Sequence, residues 1–144
     1  MRAIETEIII NSTPEKVWKV LMDLERYPEW NPFITEISGV PRKGEILSVV
    51  IKTGKDSQMR FTPTVVEVED HCKFAWLGSF IFRGLFDGRH EFRIKKIGEK
   101  LTRLIHRESF RGVLTPVFMW AIEVNTRRGF QQMNEALKRR VEQG

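Results

Sequence analysis

The apolar positions of this chain change their period twice. A strand is predicted over 3–10, ending in Ile8-Ile9-Ile10. The pattern then turns helical: Thr13 suits an N-cap, Pro14 the first helical position and Glu15 the first turn. Val17, Trp18, Leu21 and Leu24 follow at helical spacing, so one face packs inward. Pro28 and Pro32 break the next stretch into a short helix or turns around Tyr27, Trp30 and Phe33. From 34 to 111 the pattern is strand and turn only, with strands predicted over 34–38, 46–52, 58–69, 74–80, 89–97 and 101–111. Even spacing without intervening helices predicts an antiparallel meander. After Gly112, Thr115-Pro116 repeats the N-cap and first-turn proline signal. A long helix is expected to about Val141, with Phe118, Ile122, Gly129, Met133, Ala136 and Leu137 on one arc. Gly129 inside that arc costs helix stability, and either a close approach to the sheet, room for a ligand or simple tolerance accounts for it.

The predicted fold class is therefore α+β: a strand, two short helices, six strands and a long helix. The chain has 144 residues, no linker and no internal repeat, so a single domain over 1–144 is expected. A hydrophobic share of 41% is enough for a core at this length. Cys72 stands alone, which excludes an intrachain disulfide and any cysteine metal cluster. The net charge of +5 is spread along strands and one helix end. Lys138-Arg139-Arg140 closes the last helix, where cations suit its dipole. No nucleic-acid motif is present, and nucleic-acid binding is not expected. The N-terminus carries acids where a signal peptide would be apolar, and no run approaches the ~18 apolar residues of a membrane span. Cytoplasmic residence is the expectation. No nucleophile motif, phosphate loop or metal-ligand spacing occurs, so neither metal nor cofactor is expected.

Strand parity indicates which polar groups face inward. In 89–97, Arg89, Glu91, Arg93 and Lys95 share one parity and are expected in water, while His90, Phe92 and Ile94 share the other. In 101–111 the inward set is Thr102, Leu104, His106, Glu108 and Phe110. A three-residue loop at Gly98-Glu99-Lys100 pairs Ile97 with Leu101. Phe92 then opposes His106 and His90 opposes Glu108. An inward His and Glu become cross-strand neighbours, about 4.5–5.5 Å apart at Cβ. A buried carboxylate is costly unless partnered. The pair can orient a ligand's polar group, act as an acid/base couple, or be a satisfied structural pair. Parity in the earlier hairpin puts Thr62, Thr64, Val66 and Val68 inward, with Val66 opposite Trp76. The candidate ligand-binding set is thus His90, Glu108, His106, Phe92, Phe110, Trp76, Val66, Thr64, Gly129 and Met133, a lining mostly apolar with a few polar groups. Trp18, Tyr27, Trp30 and Phe33 are read as core packing or as a gate.

Several local sequences carry a resemblance. They are Thr13-Pro14-Glu15-Lys16-Val17-Trp18, the run from Asp23 to Phe33 (DLERYPEWNPF), and Arg60-Phe61-Thr62-Pro63-Thr64-Val65. Further on come Gly84 to His90 (GLFDGRH), Arg107 to Gly112 (RESFRG), and Gly129 to Leu137 near the end of the last helix. Their order resembles the START-like superfamily, also called SRPBCC, helix-grip or Bet v 1-like, in its polyketide cyclase/dehydrase branch. The resemblance implies a curved antiparallel sheet of six to seven strands wrapped around a long C-terminal helix, enclosing a cavity. It spans carriers, receptors, cyclases and chaperone activators, so the fold alone does not fix the function. The expected role is binding of a small hydrophobic or amphipathic ligand such as a lipid, isoprenoid or polyketide. The alternatives are a cyclase or dehydratase and a protein-interaction module. Val117, Trp120 and Val124 fall opposite the main apolar arc, and a homodimer through them is one expectation.

Overall fold

The computed structural model describes residues 2–80 and 82–144 of the chain. Its elements are β1 (Arg2–Ile10), α1 (Pro14–Met22), a 3-10 turn (Leu24–Arg26), α2 (Tyr27–Trp30), β2 (Ile34–Ser38), β3 (Ser48–Lys52), β4 (Gln58–Phe61), β5 (Thr64–Glu69), β6 (Lys73–Ser79), β7 (Asp87–Gly98), β8 (Leu101–Arg111) and α3 (Thr115–Gln143). The order is the expected one, with a single difference. The long strand predicted over 58–69 is two strands, β4 and β5, because Pro63 has no N–H to give a ladder. Its carbonyl instead accepts from the Leu47 amide at 2.9 Å.

That break divides the sheet. Five strands run β1-β8-β7-β6-β5 and three run β2-β3-β4, all antiparallel. The two are joined where Ile46 bridges Thr64. The large sheet and the long α3 grip one core, which is the helix-grip α+β arrangement. Lys16 N–H donates to the Thr13 side chain at 3.4 Å, so Thr13 caps α1 as expected. Thr115 does not cap α3. It lies in the first turn, and its hydroxyl donates to the Gly112 carbonyl at 2.8 Å.

The two halves of α3 differ. Gly129, Phe130, Met133, Asn134, Ala136, Leu137 and Val141 are buried, whereas only Thr115 and Met119 are buried before them. Phe118 and Ile122, placed on the inward arc by periodicity, are half-buried. Val117, Trp120 and Val124 are exposed, Trp120 by 89%. On the outer face of β7, Glu91 departs from the expectation that its parity faces water. It is only 5% exposed, because Arg93 Nε (2.9 Å) and Arg89 (3.6 Å) close over its carboxylate.

Candidate functional site

Lateral rows across the large sheet set the inner face. One row runs Trp76–His90–Glu108–Ile4, the next Phe74–Phe92–His106–Thr6, and a third Gly78–Gly88–Phe110–Arg2. The predicted oppositions of His90 with Glu108 and Phe92 with His106 are therefore present. The turn differs from its expected form: Gly98, not Ile97, pairs with Leu101, and a bulge at Ile97 absorbs the extra residue and restores the register.

Hydrogen bonds connect these rows into one chain. Asn134 Nδ2 donates to Thr6 Oγ1 at 2.8 Å, and Thr6 in turn donates to the His106 carbonyl at 3.4 Å. Asn134 thus presents its oxygen to His106 Nδ1, 2.9 Å away, so that nitrogen carries the proton. His106 Nε2 is left to accept from His90 Nε2–H at 2.7 Å. Burial, and then the neighbouring His90, hold His106 well below the ordinary histidine range, which keeps it the neutral acceptor this direction requires. The last atom of the chain, His90 Nδ1, is buried and has no hydrogen-bond partner. It points at Glu108, whose Oε1 lies 3.5 Å away. Trp76 stacks on His90 (centroids 4.7 Å apart) and Phe130 stacks flat on His106 (3.9 Å). Both imidazoles are thereby fixed in orientation as well as in tautomer.

Glu108 is where this chain reaches open space. Its side chain, 17% exposed, lines a cavity of about 120 Å³ beneath the first half of α3, with Phe33, Phe61, Phe86, Phe110 and Ile122 among the apolar walls. Gly78 and Gly88, opposed across β6 and β7, also line it. A Cβ on Gly88 would run into Glu108 Oε2, so the glycine is what lets the carboxylate lie flat against the sheet. A second compartment of about 110 Å³ continues outward between α3 and β3, sharing Phe33, Ile51, Ile122 and Thr126 with the first.

The predicted set divides into three groups. Glu108 and Phe110 line the cavity, and His90 stands directly behind Glu108. Trp76, Phe92, His106 and Met133 do face inward, but they lie in solid core, since Phe130 and its neighbours fill the space beside them. Val66 and Thr64 are corrections. A bulge between Val65 and Glu67 shifts β5, so Val65, 1% exposed, opposes Trp76 in place of Val66. Thr64 sits at the seam between the sheets, opposite Leu77 and bridged to Ile46. Gly129 is a close approach, since a Cβ there would strike the Phe33 ring, and it also lines a further space of about 270 Å³ on the outer side of Phe33.

Sequence reasoning missed Phe33 as a lining residue, along with Ile51, Phe61, Phe86 and Ile122. It also missed Asn134 and Thr6 as the far end of the hydrogen-bonded chain. Two signals were available: glycines inside strands at 78 and 88, and an asparagine on the buried arc of α3. Among the described residues no three His, Cys, Asp or Glu side chains gather as a metal site. No described helix is long and apolar enough to cross a membrane.

Solved structures with this fold include the Zhui aromatase/cyclase from Streptomyces sp. R1128 (TM-score 0.79, 15% identity, covering 98% of this chain and 93% of that one). A START superfamily protein from Mycobacterium smegmatis is similar too (TM-score 0.74, 17% identity, 98% and 97%). The di-domain ARO/CYC BexL matches with TM-score 0.74 and 12% identity over 96% of this chain, which spans only 47% of BexL's length. At such identities the likeness is one of fold. No curated protein matches the sequence. The sequence model of the family described as polyketide cyclase / dehydrase and lipid transport matches residues 1–142, and with the START-like helix grip in place the chain belongs to that family.

Proposed function

We propose that the protein binds a small hydrophobic or amphipathic ligand in the cavity beneath the first half of α3, with Glu108 as its polar contact. The observation that carries this is the isolation of Glu108. It is the one charged side chain in the lining of a mostly apolar cavity, and the buried His90 behind it has an unsatisfied nitrogen aimed its way. Apolar walls with a few placed polar groups are the usual composition of a small-molecule site. The family and its fold support the class of ligand and no particular compound.

Native mass spectrometry of protein purified from its own host tests the reading. A bound mass that is lost on denaturation, and is absent from Ile122→Trp, is the expected result. Ile122 borders both compartments, so an indole there fills them. A ligand retained at full occupancy by a folded Ile122→Trp protein would place the site elsewhere.

The hydrogen-bonded chain favours a second reading, acid/base chemistry in a cyclase or dehydratase on a polyketide-like substrate. Glu108 faces the cavity and His90 can supply or take a proton behind it, which is the geometry of general acid/base work. Enclosure of a flexible chain would add positioning. Turnover by the wild type, lost in Glu108→Gln while occupancy persists, is expected for an enzyme. Occupancy without turnover in the wild type leaves a carrier.

A further inference from the structure

The apolar cavity does not end at its second compartment. That compartment shares Phe33, Lys52, Thr53 and Asn125 with a third space of about 270 Å³, which opens between α3 and the turn after β3. Phe33 borders all three spaces. Set side by side behind shared walls, the three spaces present a chemical gradient. The inner end is walled by aromatic and aliphatic groups around Glu108. The outer end is lined by Lys52, Lys55 and Arg128, with no acidic residue in its lining.

Several other cations of the surface are neutralised by carboxylates. Arg26, Arg42, Arg60, Arg89, Arg107 and Arg140 all form ion pairs with carboxylates. Lys52, Lys55 and Arg128 form none with any described residue. Three unneutralised cations around one opening attract an anion from solution.

We propose that the ligand is a small amphiphile with an anionic head, such as a carboxylate, held at the mouth by Lys52, Lys55 and Arg128, with its apolar body directed inward past Ile51 and Ile122 to Glu108. The proposal rests on the cavity reading above and adds the ligand's charge, orientation and size. The orientation follows from the two ends. The mouth repels a cationic head, and the apolar inner end, where Glu108 offers acceptor oxygens, suits a neutral hydroxyl rather than an anion. The size follows from the inner compartments of about 120 and 110 Å³. Sites for drug-sized ligands occupy roughly 300 Å³ or more, so the two inner compartments by themselves take a medium-length chain or a single ring.

Isothermal titration calorimetry with octanoate, octanol and octylammonium provides the test. The wild type is expected to bind octanoate about tenfold more tightly than octanol, with an advantage that shrinks as salt is raised. In Lys52→Gln/Lys55→Gln/Arg128→Gln the advantage is expected to vanish while octanol binding stays unchanged; these exposed positions tolerate glutamine, and circular dichroism checks the fold. Octanoate and octanol binding equally to the wild type, both excluded by Ile122→Trp, would overturn the anion site and leave the cavity standing. A preference for octylammonium would also overturn it. Failure of all three probes to bind would overturn the cavity reading together with it.

Discussion

The two halves of α3 belong to one continuous helix but do different work. From Gly129 to Val141 the helix is pressed into the sheet: Phe130 and Met133 are fully buried, and Asn134 is tied to β1 and β8 through Thr6 and His106. From Pro116 to Arg128 only Met119 is fully buried; the rest stands over open space, half-burying Ile122 and Thr126 above the cavity and turning Val117, Trp120 and Val124 outward. Phe33, wedged against Gly129, marks the transition. The contrast shows how a helix-grip fold reconciles a stable core with a hollow interior. Packing and polar ties are concentrated at one end of the helix, and the other end is left under-packed.

The sharpest way to test the contrast is to delete equivalent volumes from each half. Leu137→Ala empties a fully buried site and is expected to lower the unfolding free energy by about 2–5 kcal/mol. Ile122→Ala removes groups that already border empty space, and about 1 kcal/mol is expected. Urea titration of both variants decides it. Equal losses would mean that the cavity is a packed region in solution and that the two halves do not differ.

A second comparison concerns the polar tie. Asn134→Leu keeps the volume but leaves His106 Nδ1–H without its acceptor in a dry site. A loss of about 1–3 kcal/mol is expected for the stranded donor. Nitrogen NMR of the two imidazoles should show that the Nδ1–H tautomer of His106 is no longer enforced. An unchanged tautomer ratio would show that stacking on Phe130, rather than Asn134, sets it.

Much of the fold was legible in the sequence, and the exceptions have physical causes. Alternation in two adjacent strands was sufficient to pair His90 with Glu108, because a slip of one residue would have mixed polar and apolar faces. Parity failed at Val66 and the pairing failed at Ile97, in both cases because a bulge inserts one residue, and bulges leave little trace in hydrophobicity. The cavity was harder to locate than the fold. Which inward residues are packed solid depends on what fills the space across from them. Trp76, Phe92 and Met133 face inward like Phe110, but Phe130 and its neighbours close the space beside them. Phe33 was legible as one of the aromatics around the short helices, either packing the core or gating the cavity. Its position beside Gly129, at the border of every compartment, is a tertiary fact.

His106 supplies a prediction in pH. Its folded-state affinity for a proton is lowered by burial and by His90, while the unfolded chain titrates near the ordinary value of 6.5. Below that pH the unfolded state binds the extra proton first, so stability falls as pH drops through 6.5 toward the lowered folded value. Above 6.5 this contribution is fully present and flat. His106→Gln can still donate to Asn134 and accept from His90, and it is expected to flatten that acid limb relative to the wild type. Urea midpoints at pH 7 and pH 5 measure it, and parallel limbs in the two proteins would assign the acid sensitivity to other groups.

The smallest expected effect lies on the outer side of the under-packed half. Trp120, 89% exposed on the same side as Val117 and Val124, meets little of the chain's own interior. Trp120→Ser should therefore change the stability of the monomer by no more than about 0.5 kcal/mol, even though it removes the largest side chain of the helix. Chemical unfolding at two protein concentrations separates the alternatives. A change within that bound at both concentrations would show that this face plays no part in the fold. A larger loss at the higher concentration alone would show that a second copy of the chain covers Val117, Trp120 and Val124, so that part of the stability of the first half of α3 comes from association. A large loss at both concentrations would contradict the division of α3, because the exposed face would then be packed against the protein itself.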